Sequence, residues 1–83
     1  MAKSIVFTDQ AKTDLRGIDQ ITAIQILRTL ARFAHSEEGN VKRLKGVDPP
    51  LYRLRTQDHR IFFRDFGDSI EITRVRDCKD AYR

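Results

Sequence analysis

Arginine recurs at alternating positions in two short runs, Leu51-Tyr52-Arg53-Leu54-Arg55 and His59-Arg60-Ile61-Phe62-Phe63-Arg64. Neighbouring side chains on a strand point to opposite faces. In the first run, therefore, Arg53 and Arg55 share one face and Tyr52 and Leu54 the other. In the second, Ile61 and Phe63 take the apolar side while Arg60, Phe62 and Arg64 take the open side. The strand rise puts Arg53 and Arg55 about 7 Å apart. A guanidinium donates two parallel hydrogen bonds to a phosphate, and an aromatic ring among such groups gives a base a surface to stack on. Arginine stays protonated in proteins, so these residues would stabilise negative charge rather than act as general bases.

The charge distribution agrees. Residues 1–40 carry five cations and five carboxylates, whereas residues 41–64 carry Lys42, Arg43, Lys45, Arg53, Arg55, Arg60 and Arg64 against only Asp48 and Asp58. The net charge of +4 thus comes from one block of the chain. Strand arginines are ordinarily solvated surface. Clustered ones repel one another unless an anion relieves them, and such a block is the footprint of a polyanion binder. Lys42, Arg43, Lys45, Phe62 and Arg64 are the expected RNA contacts beside Arg53, Arg55 and Arg60. Cys78 is the sole cysteine and the histidines, His35 and His59, are distant in sequence. No intrachain disulfide can form, and no zinc cluster is expected. His59 is expected to pack at its strand start or line the groove, and His35 to face a helix C-terminus. No apolar run is long enough to span a bilayer. The expectation is a cytoplasmic protein with no cofactor and no membrane partner.

Eighty-three residues make one domain, 1–83, with a thin core. Ser4–Phe7 reads as an opening strand. Thr8 or Asp9 caps a helix over about residues 9–17, ended by Gly17. Asp19 caps a second over about 20–35, with Ile21, Ile24, Leu27, Leu30, Ala31 and Ala34 as its core stripe. Val41–Lys45 is a short extended segment or loop, and Gly46–Pro50 a turn. Strands follow at Leu51–Arg55, His59–Arg64 and Ile70–Val75. Asp65–Asp68 forms the hairpin turn between the last two, with Gly67 at its positive-φ position. Residues 76–83 form a tail. The order β-α-α-β-β-β predicts an α+β fold, a two-helix antiparallel hairpin on one face of a small antiparallel sheet.

The strings Arg43-Leu44-Lys45-Gly46, Leu51-Tyr52-Arg53-Leu54-Arg55 and His59-Arg60-Ile61-Phe62-Phe63, with the ending Val75-Arg76-Asp77-Cys78-Lys79-Asp80-Ala81-Tyr82-Arg83, resemble the conserved core and terminus of RelE-family toxins of the RelE/ParE superfamily. The resemblance covers essentially the whole chain. It implies the toxin half of a bacterial type II toxin–antitoxin pair, a ribosome-dependent mRNA endonuclease that works without metal and leaves a 2′,3′-cyclic phosphate. By position it implies that Arg53 and Arg55 stabilise charge, that Arg60 holds the scissile phosphate, and that Tyr82 stacks on the substrate base and assists proton transfer. Where the family has His-Arg, this chain has Asp77-Cys78, which leaves Arg76 and Lys79 as the basic residues ahead of the tyrosine. That departure implies altered cleavage rather than lost RNA binding. The implied partners are an acidic antitoxin, the ribosome and mRNA. Two alternatives stand beside it: a ParE-like inhibitor of DNA gyrase, and a non-catalytic protein of this fold that binds RNA or antitoxin.

Overall fold

The computed structural model describes residues 3–56 and 58–77. Strand β1 (Ser4–Phe7) leads into helices α1 (Asp9–Arg16) and α2 (Gln20–Ser36). Strands β2 (Asn40–Arg43), β3 (Tyr52–Arg55), β4 (His59–Asp65) and β5 (Ser69–Asp77) follow. The sheet runs β1-β5-β4-β3-β2. Three pairs are antiparallel, and β1 joins the edge of β5 in parallel, which makes the expected antiparallel sheet a mixed one.

Local chemistry sets the boundaries. Thr8 caps α1 by accepting from the Ala11 N–H at 3.1 Å, and Asp19 caps α2 by accepting from the Thr22 N–H at 3.0 Å. Each side-chain oxygen satisfies a donor that the first helical turn leaves orphaned. Gly67, at φ 91°, makes the β4–β5 turn as expected.

The core lies between the helices and one sheet face. Ala11, Ile26, Leu30, Phe33 and Ala34 meet Leu54, Ile61, Phe63, Ile70, Ile72 and Val75 there. Phe63 is its hub, tilted against Phe33 at 5.3 Å and stacked on Tyr52 at 5.5 Å between centroids. Burial of this face is the main stabilising term of the domain.

One open expectation is decided and two are corrected. Val41, expected in a short extended segment or loop, belongs to a strand, because β2 pairs with β3 from Asn40 to Arg43. The last strand continues through Arg76 and Asp77, since β4 is long enough to pair with both. On α2 the sheet receives Ile26, Leu30, Phe33 and Ala34, while Ile21, Ile24, Leu27 and Ala31 face solvent. The helix is apolar around most of its circumference, so a 3–4 residue period fits two stripes, and only one can dock.

Candidate nucleic-acid interface

The register decides which side chains share the open face. Arg55 stands directly across from Arg60 in β3–β4, and Arg60 directly across from Arg76 in β4–β5. One row of the sheet therefore carries three arginines on three neighbouring strands. In the next row Lys42 faces Arg53 and Arg53 faces Phe62. Directly opposite residues lie roughly 4.5–5.5 Å apart at Cβ, so the guanidinium groups lie within reach of one phosphate. The alternate residues of these strands, Leu54, Ile61 and Val75, are buried on the helix side. That burial locks the faces, because a slip of one residue would drive arginine into the core.

Among the described residues, Arg53, Arg55, Arg64 and Arg76 form no ion pair. The Nε donors of Arg53 and Arg64 are shielded and have no acceptor among those residues, an arrangement that an incoming anion would relieve. Arg64 stands opposite Glu71 in the register.

Arg74 behaves differently. It faces Phe62 in the register, yet its Nε donates to Asp14 Oδ2 of α1 at 2.9 Å. The same carboxylate oxygen accepts from the Val75 N–H at 3.0 Å. Burial pushes the Asp14 carboxyl up, but the bonds from Val75, Arg74 and Gln10 outweigh it and hold it below the ordinary carboxylate range. Asp14 thus fastens α1 to the stretch of β5 that lies beyond the end of β1.

Not every expected contact reaches the row. Arg43 pairs with Tyr52, which puts it on the helix side of β2, and Lys45 lies in the turn that follows. Lys79 and Tyr82 lie outside the described residues. His59 is only 7% exposed and sits on the helix side in line with Ile61 and Phe63, as the expectation of a packed residue required. Its Nε2 is 4.0 Å from Asp77 Oδ2.

Two grooves flank His59 on that side. One, about 470 Å³, runs between α2 and the β3–β4 turn, bordered by Thr22, Arg28, Arg32 and Asp58. The other, about 520 Å³, is bordered by Asp14, Asp19, Arg74 and Arg76. Of the arginine row, Arg76 borders the second groove. The sequence missed Arg76 as a strand residue; seven residues of β4 awaiting partners were the signal that β5 had to be longer.

The family model that matches the sequence describes a ParE toxin of the type II toxin–antitoxin system parDE, and it spans residues 5–82. The chain belongs to this toxin family. It is therefore a type II toxin of the RelE/ParE superfamily. Solved structures share its fold at low identity. The RelBE2 toxin–antitoxin complex of Mycobacterium tuberculosis superposes with a TM-score of 0.81 at 18% identity, covering 93% of this chain and 92% of that one. The RelB–RelE complex of Methanococcus jannaschii gives 0.74 at 23%, covering 93% and 94%. The YoeB dimer of Staphylococcus aureus gives 0.72 at 20%, covering 92% and 97%. No curated protein matches the sequence significantly. No helix among the described residues is long and apolar enough to cross a membrane.

Proposed function

We propose that this toxin is a ribosome-dependent endoribonuclease that cleaves mRNA on the arginine-bearing face of its sheet. One observation carries the reading: Arg53, Arg55, Arg60 and Arg76 share a face with Lys42 and Phe62, while the residues between them are buried. In the reaction the ribose 2′-oxygen attacks the adjacent phosphorus and loses its proton. The bond to the 5′-oxygen breaks, that oxygen takes up a proton, and a 2′,3′-cyclic phosphate remains. Charge builds on the non-bridging oxygens of the phosphorane, where fixed guanidinium groups stabilise it more than in the ground state. Arg60, at the centre of the row, holds the scissile phosphate, with Arg53 and Arg55 beside it. Arg76 and Lys79 supply further phosphate contacts, and Tyr82 stacks on a base. Phe62 and Lys42 extend the track. An acidic antitoxin would silence the toxin by competing for this charge.

The test uses purified ribosomes programmed with a short end-labelled mRNA. The toxin should cut the message in the decoding site and leave cyclic phosphate ends, and Arg60→Ala should slow single-turnover cleavage by about a hundredfold or more. Intact message under saturating toxin overturns the assignment.

The match to a ParE model favours a second reading, inhibition of DNA gyrase. It predicts gyrase-dependent DNA breaks with mRNA left whole, so the two readings give opposite results in the same cells.

A further inference from the structure

Alternation along β5 breaks once. Ile70 and Ile72 are buried, and strict alternation would carry Arg74 into the core and Val75 onto the open face. A register shift between Phe62 and Phe63 intervenes. Ile72 pairs with Phe63 and Arg74 with Phe62, which leaves Thr73 as the extra residue of a bulge. Val75 thereby returns to the core, and Arg76 to the row across from Arg60. Helix α1 holds this bulge along the outer edge of β5, where the pairing with β1 stops at Ile72. Thr8 Oγ1 donates to the Thr73 carbonyl at 3.0 Å, and Thr73 Oγ1 donates to the Phe62 carbonyl at 3.2 Å. Asp14 Oδ2 accepts from both the Val75 N–H and Arg74 Nε. The row that runs Lys42, Arg53, Phe62 therefore reaches Arg74 in register, but the guanidinium of Arg74 is drawn over the edge of β5 to α1.

We infer that Asp14 is a positioning residue for RNA: by holding Arg74 at the strand edge, it keeps the face of the Phe62 ring clear for a base. The inference rests on the reading of this sheet face as an RNA interface and adds the group that keeps its aromatic surface usable. Directly opposite residues lie about 4.5–5.5 Å apart at Cβ, and a guanidinium settles on an aromatic face within about 6 Å of its centre. Arg74 freed from Asp14 would therefore cover the ring on which a base stacks, and from there it would also reach a phosphate. The ion pair limits affinity and preserves stacking. Fastening α1 to β5 is a separate role, and Asp14→Asn separates the two. The amide oxygen still accepts from the Val75 N–H, but the side chain has no charge with which to hold Arg74.

The test uses the whole toxin and a short single-stranded RNA carrying 2-aminopurine. Wild type, Asp14→Asn, Arg74→Ala and the double variant are compared, after thermal melting has shown each to be folded. Wild type should change the fluorescence of the probe on binding, and Phe62→Ala should abolish that change. Asp14→Asn should lose the change as well, yet bind more tightly at low salt, its slope of log affinity against log salt steeper by about 0.7. Arg74→Ala should match the wild type in both readouts. Added to Asp14→Asn it should restore them, a rescue that a merely structural role for Asp14 does not give. Asp14→Asn indistinguishable from a wild type that binds RNA overturns the inference. So does weakened binding by Arg74→Ala, which would make that arginine an RNA contact in its own right. A double variant as defective as Asp14→Asn overturns it too. A wild type that binds no RNA overturns this inference together with the nuclease reading, whereas the expected binding pattern with mRNA left whole on ribosomes refutes the nuclease reading alone.

Discussion

Arg55, Arg60 and Arg76 face one another across three strands, an arrangement the sheet alone does not favour. Like charges directly opposite in a ladder cost some tenths of a kcal/mol to about 1 kcal/mol per pair. Arg55 is exposed and pairs with no carboxylate among the described residues, so its worth lies outside the fold. Arg55→Thr keeps a strand-forming side chain and removes one charge. Thermal denaturation should show it as stable as the wild type or more so. Its affinity for single-stranded RNA should fall, and the slope of log affinity against log salt should shrink by about 0.7. Anisotropy titrations over a salt series measure both. Much of this row was legible in the sequence, because period-two alternation with leucine, isoleucine and phenylalanine in between leaves one choice of face. Arg76 was not, since its place depends on how far β4 extends its partner. Nor was the diversion of Arg74, because the carboxylate that captures it, Asp14, is sixty residues away in sequence.

Among the elements, the least expected junctions are those between helix and strand. Asp14, its side chain 12% exposed, accepts two hydrogen bonds from β5. Asp14→Ala should cost about 1–3 kcal/mol at neutral pH, because it strands the Val75 N–H. A carboxyl whose folded pKa is depressed contributes its stability above the unfolded value of about 3.9, and loses it as pH falls through the lower folded one. Chemical denaturation at stepped pH should therefore show wild type and Asp14→Ala converging on acidification below about pH 4. Gly39, just ahead of β2, is the second junction. A Cβ there would lie 2.8 Å from Leu54 Cδ1 and 3.5 Å from Phe33 Cδ1. Leu54 is fully buried and cannot give way. Gly39→Ala should destabilise by about 1–3 kcal/mol, and denaturation with urea would register it. It should also weaken RNA binding, because Leu54 sits between Arg53 and Arg55 on β3. The sequence announced the helices and four of the strands, left β2 open between strand and loop, and did not show these contacts. Caps and turns are local chemistry, whereas the choice between two apolar stripes on α2 depends on which one the sheet meets.

At the scale of the whole molecule, the sheet divides the labour. Its helix side holds nearly every large buried side chain, including Phe63, Leu30, Leu54, Ile61, Ile70 and Ile72, and carries the stability. Its other side gathers cations that a core of this size can tolerate only because they remain in solvent. The fold class followed from the order of elements, and the family from motifs spread along the chain. Which target the cationic face meets is a matter of chemistry rather than architecture. Mapping of 5′ ends across cellular mRNA after brief induction, wild type beside Arg60→Ala, tests that chemistry most directly. The account predicts new ends in phase with codons for the wild type and close to none for the variant, both proteins being folded and equally abundant. Undisturbed messages in wild-type cells that have stopped growing, with their DNA broken at gyrase sites instead, would contradict it.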